Sequence, residues 1–164
     1  MPTSGRLITS SIRLPIHIEA INPHINAITA TCYDRARTEA KAAEQAVLRG
    51  EPLGLLHGLP LGVKDLEATA GLLTTYGSEI YRDHIPEQDN VLVARLRAAG
   101  AIVAGKTNIP EMGAGANSRN TVWGATGNPF NPNLNAGGSS GGSAAALACD
   151  LLPVCTGSDT GGSL

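Results

Sequence analysis

Two hydrophobic periods run along this chain, and the places where one gives way to the other mark out its elements. Asp34 to Arg49 is rich in Ala, Glu, Arg and Lys, with Ala36, Ala40 and Ala43 on one small-residue face and Gly50 as a stop, which predicts a helix. A loop over 51–58 leads into Leu59 to Val63, a short apolar run that reads as a buried strand delivering Lys64. A second helix is expected from Asp89 or Asn90 to Ala99, with a capping side chain at its start, apolar Leu92, Val93 and Leu96, and Gly100 at its end. Ala101 to Ala104 then reads as a buried strand. Residues 113–138, dense in Gly, Asn and Pro, read as mostly loop. Gly142 to Cys149 predicts a short alanine-rich helix and Leu151 to Thr156 a strand. Residues 1–16 have no clear period and read as a frayed or partly helical start. Helices alternating with short apolar strands predict an α/β fold, with no repeat and no interdomain linker.

Bulk properties narrow the function. At 164 residues the chain can bury one ordinary core, and 42% hydrophobic against 16% charged residues describes a globular protein. A net charge of −2 gives no electrostatic pull toward nucleic acid or a membrane surface, and 3% aromatic residues are too few for a base-stacking platform. Cys32, Cys149 and Cys155 are odd in number and lack metal-site spacing, so they read as reduced and packed. No apolar run reaches spanning length and no secretory leader opens the chain, so a cytoplasmic protein without cofactor or metal is expected.

Two motifs match by letter and fail by context. Gly100 to Thr107 fits the phosphate-loop pattern G-x-x-x-x-G-K-[ST] at every fixed position. That loop follows a strand and wraps an anion with its amides, whereas here a helix precedes Gly100 and the four inner residues are strand formers. A nucleotide-binding module using Gly100–Thr107 therefore stands only as the competing reading from another class. Gly137-Gly138-Ser139-Ser140-Gly141 fits G-x-S-x-G, but a nucleophile elbow needs a strand just before it, and the Asn- and Pro-rich residues 127–136 are read as unable to form one.

The remaining chemistry lies in two glycine-cradled serines and one lysine. Thr160-Gly161-Gly162-Ser163 offers consecutive backbone N–H groups around a serine, an anion-binding concavity beside a nucleophile. Of the three lysines, Lys41 sits mid-helix among polar residues, Lys106 belongs to a Gly-Lys-Thr-Asn turn and reads as structural, and Lys64 ends an apolar run. A lysine so placed is ordinarily a snorkelling surface residue. Delivered inward instead, its ammonium is penalised by desolvation, and the neutral amine becomes a general base.

Gly157-Ser158-Asp159-Thr160-Gly161-Gly162-Ser163, Gly137-Gly138-Ser139-Ser140-Gly141-Gly142 and Gly62-Val63-Lys64-Asp65, in their order and spacing, resemble the amidase signature family from about residue 17 to the end. The resemblance implies part of that family's fold, a mixed central sheet flanked by helices, over residues 17–164, with residues 1–16 a poorly defined N-terminal segment. It implies a Ser–cis-Ser–Lys triad: Ser163 the nucleophile, Ser139 the relay after a cis Gly138–Ser139 bond, and Lys64 the base. Thr160, Gly161 and Gly162 would hold the oxyanion, and Met112 to Ser118 would line the acyl pocket. Ser140 is read as supporting the triad and Ser143 as part of the helix start.

Members of the family continue well past this point, so the chain is expected to be an N-terminal fragment, inactive alone. Its substrate would be a small-molecule amide, with no nucleic acid bound directly, no membrane, and a homodimer left open. A stand-alone amidase leads, because Asn117-Ser118-Arg119-Asn120 differs from the serine/threonine-rich stretch of the alternative, the A subunit of a glutamine-dependent tRNA amidotransferase.

Overall fold

The structure is a computed structural model and describes residues 5–164. It opens with α1 (Gly5–Ile25), β1 (Ile28–Thr31), α2 (Tyr33–Leu48) and β2 (Pro60–Lys64). It continues with α3 (Val91–Ala98), β3 (Ile102–Thr107), the short pairs β4 (Arg119–Asn120) with β5 (Gly124–Ala125) and β6 (Gly127–Asn128) with β7 (Asn131–Asn135), then α4 (Gly141–Ala148) and β8 (Val154–Cys155). The main sheet runs in the order β1-β3-β2-β8. β2 is parallel to β3 and β8, and β1 is antiparallel to β3, so the sheet is mixed.

The apolar runs fall where burial requires them. All six residues of β3 and the last four of β2 are buried, as expected of central parallel strands covered on both faces. One cluster packs Ile18 and Ile25 of α1 with Ala145 and Ala146 of α4 and Leu151 and Leu152; a second packs Leu61, Val63 and Val103 with Leu72 and Val93. Ala36, Ala40 and Ala43 of α2 face a small cavity shared with Leu14, Pro60 and Ile102, the small-residue face turned inward. Asn90 caps α3 by accepting from the Val93 N–H at 2.9 Å.

Several expectations need correcting. The helix at the N-terminus is continuous from Gly5 through Pro15 and Pro23 to Ile25, so residues 5–16 belong to it; residues 1–4 lie outside the described residues. β3 runs on to Thr107, so Lys106 is a strand residue, not a turn residue. The same fact removes the nucleotide-binding reading, because Gly100–Thr107 passes from a helix end into a buried strand and presents no loop to an anion. The final strand contracts to Val154–Cys155. Residues 113–138 hold four short strands, and β7 lies immediately before the glycine–serine turn. Asparagine makes that local pairing workable: Asn128 and Asn131 side chains accept from the Phe130 and Asn133 N–H groups and build the turn. β7 pairs only with β6, outside the parallel sheet on which a nucleophile elbow is built.

α4 meets β1 and β3 through glycine. A Cβ on Gly142 would collide with the backbone of Asn108 and with the Ala27 carbonyl, neither of which can yield like a side-chain tip. Gly142→Ala is expected to cost about 2–3 kcal/mol. Denaturant unfolding checks this, with a midpoint shift at unchanged slope as the expected result.

Candidate active site

β2 ends in Lys64, whose backbone N–H donates to Thr156 Oγ1 at 2.7 Å and whose side chain is 0% exposed. Strand alternation sends that side chain to the face covered by α4. There its Nζ lies 2.8 Å from Ser139 Oγ, 2.9 Å from Ser140 Oγ and 2.8 Å from Ser158 Oγ. An ammonium has three protons and no acceptor site, so three hydroxyls satisfy it fully; a neutral amine has two protons and a lone pair, and one hydroxyl must then donate to it. The cluster accommodates either state by rotating a hydroxyl. Burial pushes the Lys64 pKa below the ordinary lysine value, with the charges of Glu67 and Asp159 pulling the other way.

Ser139 and Ser140 are held by the turn that starts α4. The Gly138–Ser139 peptide bond is cis, as the resemblance implied. The buried Ser118 hydroxyl accepts from the Gly141 N–H at 3.0 Å and donates to the Ser139 carbonyl at 3.3 Å, while the Ser118 N–H donates to the Gly137 carbonyl. One residue, through its side chain and its backbone N–H, thus fixes the backbone on both sides of the serine pair. Ser143 in the first turn of α4 donates to the Thr156 carbonyl and bonds Thr107 Oγ1 at 2.7 Å, tying helix to sheet.

Ser163 comes to the same end of the sheet on the loop after β8. The Ser140 N–H donates to the Ser163 carbonyl at 3.1 Å, and Ser163 shares a cavity with Gly115, Ala116, Gly138, Gly161 and Gly162. No hydrogen bond joins the Ser163 hydroxyl to Ser139 among the described residues, so Lys64 and Ser139 are in contact and Ser163 stands beside them. Thr160, Gly161 and Gly162 form an exposed turn. The Gly162 N–H donates to Asp159 Oδ1 at 2.5 Å and the Leu164 N–H to Oδ2 at 3.2 Å, and these backbone donors hold the Asp159 carboxyl below its usual range. In the turn read from the sequence as an anion-binding concavity, these N–H groups are thus already taken by an internal carboxylate.

Ser158 was not singled out by sequence reasoning, and Ser118 was read only as the end of a pocket-lining segment, whereas its hydroxyl is buried against the serine turn. Ser158 lies inside the glycine–serine motif, five residues before Ser163, and its proximity to Lys64 depends on the parallel pairing of β2 with β8. Ser118 acts across a span of 21 positions, which local pattern does not reveal. Among the described residues no group of three or more His, Cys, Asp or Glu side chains is placed to hold a metal ion, and no helix is long and apolar enough to cross a membrane.

A family model described as Amidase matches residues 11–164, starting earlier than the resemblance read from residue 17. The A subunit of the glutamyl-tRNA(Gln) amidotransferase of Acaryochloris marina is 41% identical over 161 residues, 98% of this chain and 33% of that protein. The putative amidase AmiB2 of Mycobacterium bovis is 48% identical over 149 residues, 90% of this chain and 31% of that protein. Among solved structures, a bacterial aryl acylamidase of the amidase signature family superposes with a TM-score of 0.87 at 37% identity, over 98% of this chain and 33% of that one. A protein described as part of a vestigial complex revealing the origins of an s-triazine catabolic enzyme superposes with a TM-score of 0.92 at 43% identity, over 98% of this chain and 36% of that one. The chain spans about a third of the length of the curated relatives it matches.

Lys64 and Lys106 both have folded-state pKa values lowered by burial, Lys106 to about 8. Between the folded value and the ordinary 10.5, the unfolded chain binds more protons than the folded one at these groups. Their contribution to stability therefore rises with pH across that window and falls as pH drops through it. Nitrogen-15 NMR of the lysine amines is expected to show two depressed titrations, lost one at a time in Lys64→Met and Lys106→Met. Two ordinary titrations would contradict the burial argument.

Proposed function

The chain belongs to the amidase signature family, and on that premise we propose that it carries the Ser163–Ser139–Lys64 relay of an amidase acting on a small carboxamide. The observation that supports this is the 2.8 Å approach of Lys64 Nζ to Ser139 Oγ at the buried end of β2. A desolvated lysine paired with a hydroxyl and with no carboxylate in direct contact is a base rather than a structural cation.

Neutral Lys64 takes the Ser139 proton while the Ser139 oxygen takes the proton of Ser163. Ser163 Oγ then bonds to the amide carbon, and the carbonyl oxygen gains the negative charge. Backbone N–H groups of the Thr160–Ser163 turn stabilise that oxygen, and the Asp159 carboxylate has to release the Gly162 N–H for it to join them. The relay hands its proton to the leaving nitrogen as the C–N bond breaks. Water attacks the resulting ester, returning the Ser163 proton through the same path and releasing the acid. The cavity between Ser163 and Gly115–Ala116 is where the acyl group sits.

A second reading is the glutamine-hydrolysing A subunit of a tRNA amidotransferase, favoured by the similarity to proteins of that name at 40–44% identity. The same triad serves both, and ammonia release from free glutamine against small carboxamides separates them.

The test is labelling of the purified natural protein by a fluorophosphonate. The rate is expected to rise with pH as Lys64 loses its proton, at a midpoint below that of an ordinary lysine. Lys64→Met is expected to lose roughly 10²–10⁴-fold in rate, the range of a general base. A pH-independent rate unchanged by Lys64→Met would overturn the assignment.

A further inference from the structure

Among the described residues the relay leaves a second buried lysine unused. Lys106 is 0% exposed on β3, next to β2, and the parallel register pairs it with Val63 while Lys64 pairs with Thr107. Neighbouring strand positions alternate faces, so the two lysines leave the sheet on opposite sides. Lys64 reaches the serines at the start of α4. Lys106 reaches the segment that follows Lys64: its Nζ donates to the Glu67 carbonyl, donates to Thr69 Oγ1 at 3.0 Å, and lies 4.0 Å from Asp65 Oδ1.

These partners all follow Lys64 within five residues of the chain. The Glu67 N–H donates to the Lys64 carbonyl at 2.9 Å, so the carbonyl that Lys106 grips belongs to the residue closing the turn directly after the base. The Asp65 N–H donates to the Thr107 carbonyl at 3.0 Å. The Asp65 carboxylate accepts from the Thr75 hydroxyl at 2.6 Å, and that hydroxyl in turn accepts from Trp123 Nε1 at 2.8 Å. The exit of β2 is thereby clamped to β3 on one side and to the 70s loop on the other. We propose that Lys106 is a positioning residue for Lys64, fixing the turn out of β2 and with it the reach of Lys64 Nζ to the serine hydroxyls.

The choice of residue supports this. Replacing a buried ion pair by apolar side chains of similar volume is often neutral or stabilising, so Lys106–Asp65 is a poor device for stability alone. It is a good device for location, because three acceptors in different directions leave an ammonium one place to sit. It also gives the Gly105-Lys106-Thr107 segment, which mimics a phosphate loop by letter, a role within the fold.

The proposal rests on the base assignment for Lys64, and its test separates the two. Lys106→Met alone strands the Asp65 carboxylate in the interior, so the informative variant is Lys106→Met with Asp65→Asn in the natural protein. Thermal melting and fluorophosphonate labelling of Ser163 are measured together, the labelling resolved into a maximal rate and a half-saturating probe concentration. The double variant is expected to melt close to the parent and to keep the half-saturating concentration. Its maximal rate is expected to fall about 10²-fold, the cost of misplacing a catalytic group by roughly 1 Å. A double variant that labels at the parent's maximal rate would overturn the positioning role. If the double variant does not fold, Lys106→Arg takes its place: it keeps the charge but not the three-way grip, and full-rate labelling by it overturns the role equally. Lys64→Met labelling at the parent rate would instead defeat the base assignment, whatever Lys106 does.

Discussion

An amine at the inner end of a parallel strand is the constraint on which the rest of this structure depends. Lys64 cannot leave its charge in the interior without partners, and the nearest backbone is already committed to the sheet. Three hydroxyls, from Ser139, Ser140 and Ser158, supply its short contacts, and the Ser158 carbonyl adds a longer one at 3.4 Å. Bringing them to one point requires α4 to begin beside β2 and β8 to run parallel to it, so that the loops after β7 and β8 converge on the same end of the sheet. The glycines around both serines allow the close approach; at Gly142 the backbone of Asn108 occupies the space a side chain would need.

The same geometry explains how one sheet holds two buried lysines without mixing their roles. Alternation along parallel strands puts Lys64 and Lys106 on opposite faces, one among neutral hydroxyls and the other beside a carboxylate. An adjacent carboxylate favours keeping the proton, yet burial still lowers Lys106 to about 8, so what each lysine touches, rather than its charge state, separates the two. Desolvation acts on both. Of the two, only Lys64 has serine hydroxyls within hydrogen-bond distance.

Much of this was legible in the sequence, and the illegible part has a common cause. α2, β2, α3 and α4 lie within a residue or two of where apolar period, capping residue and terminal glycine put them, because those signals are local. Lys64 and Ser139 could be named as candidates because each sits in a short motif that resembles the amidase signature. What failed was non-local. β3 extends through Lys106 because β2 and β1 pair with it on both sides, which no local run of residues announces. β7 forms from an Asn- and Pro-rich stretch that propensity argues against, because its asparagine side chains complete the turn with β6. Ser118 and Ser158 acquire their roles only once distant segments meet. The Asp159 carboxylate in the turn read as an oxyanion site is a competitor that spacing alone does not disclose.

The membership of the family is shown by the match over residues 11–164, and the covalent step at Ser163 is the proposal that rests on it. The most direct test is to mix the natural protein with a small carboxamide or its activated ester, quench with acid during turnover, and locate any added acyl mass by peptide mapping. The account predicts the acyl group on Ser163, and none accumulating when Ser163 is replaced by alanine. An acyl group on Ser139, Ser140 or Ser158, or amide cleavage that persists in Ser163→Ala, would contradict it.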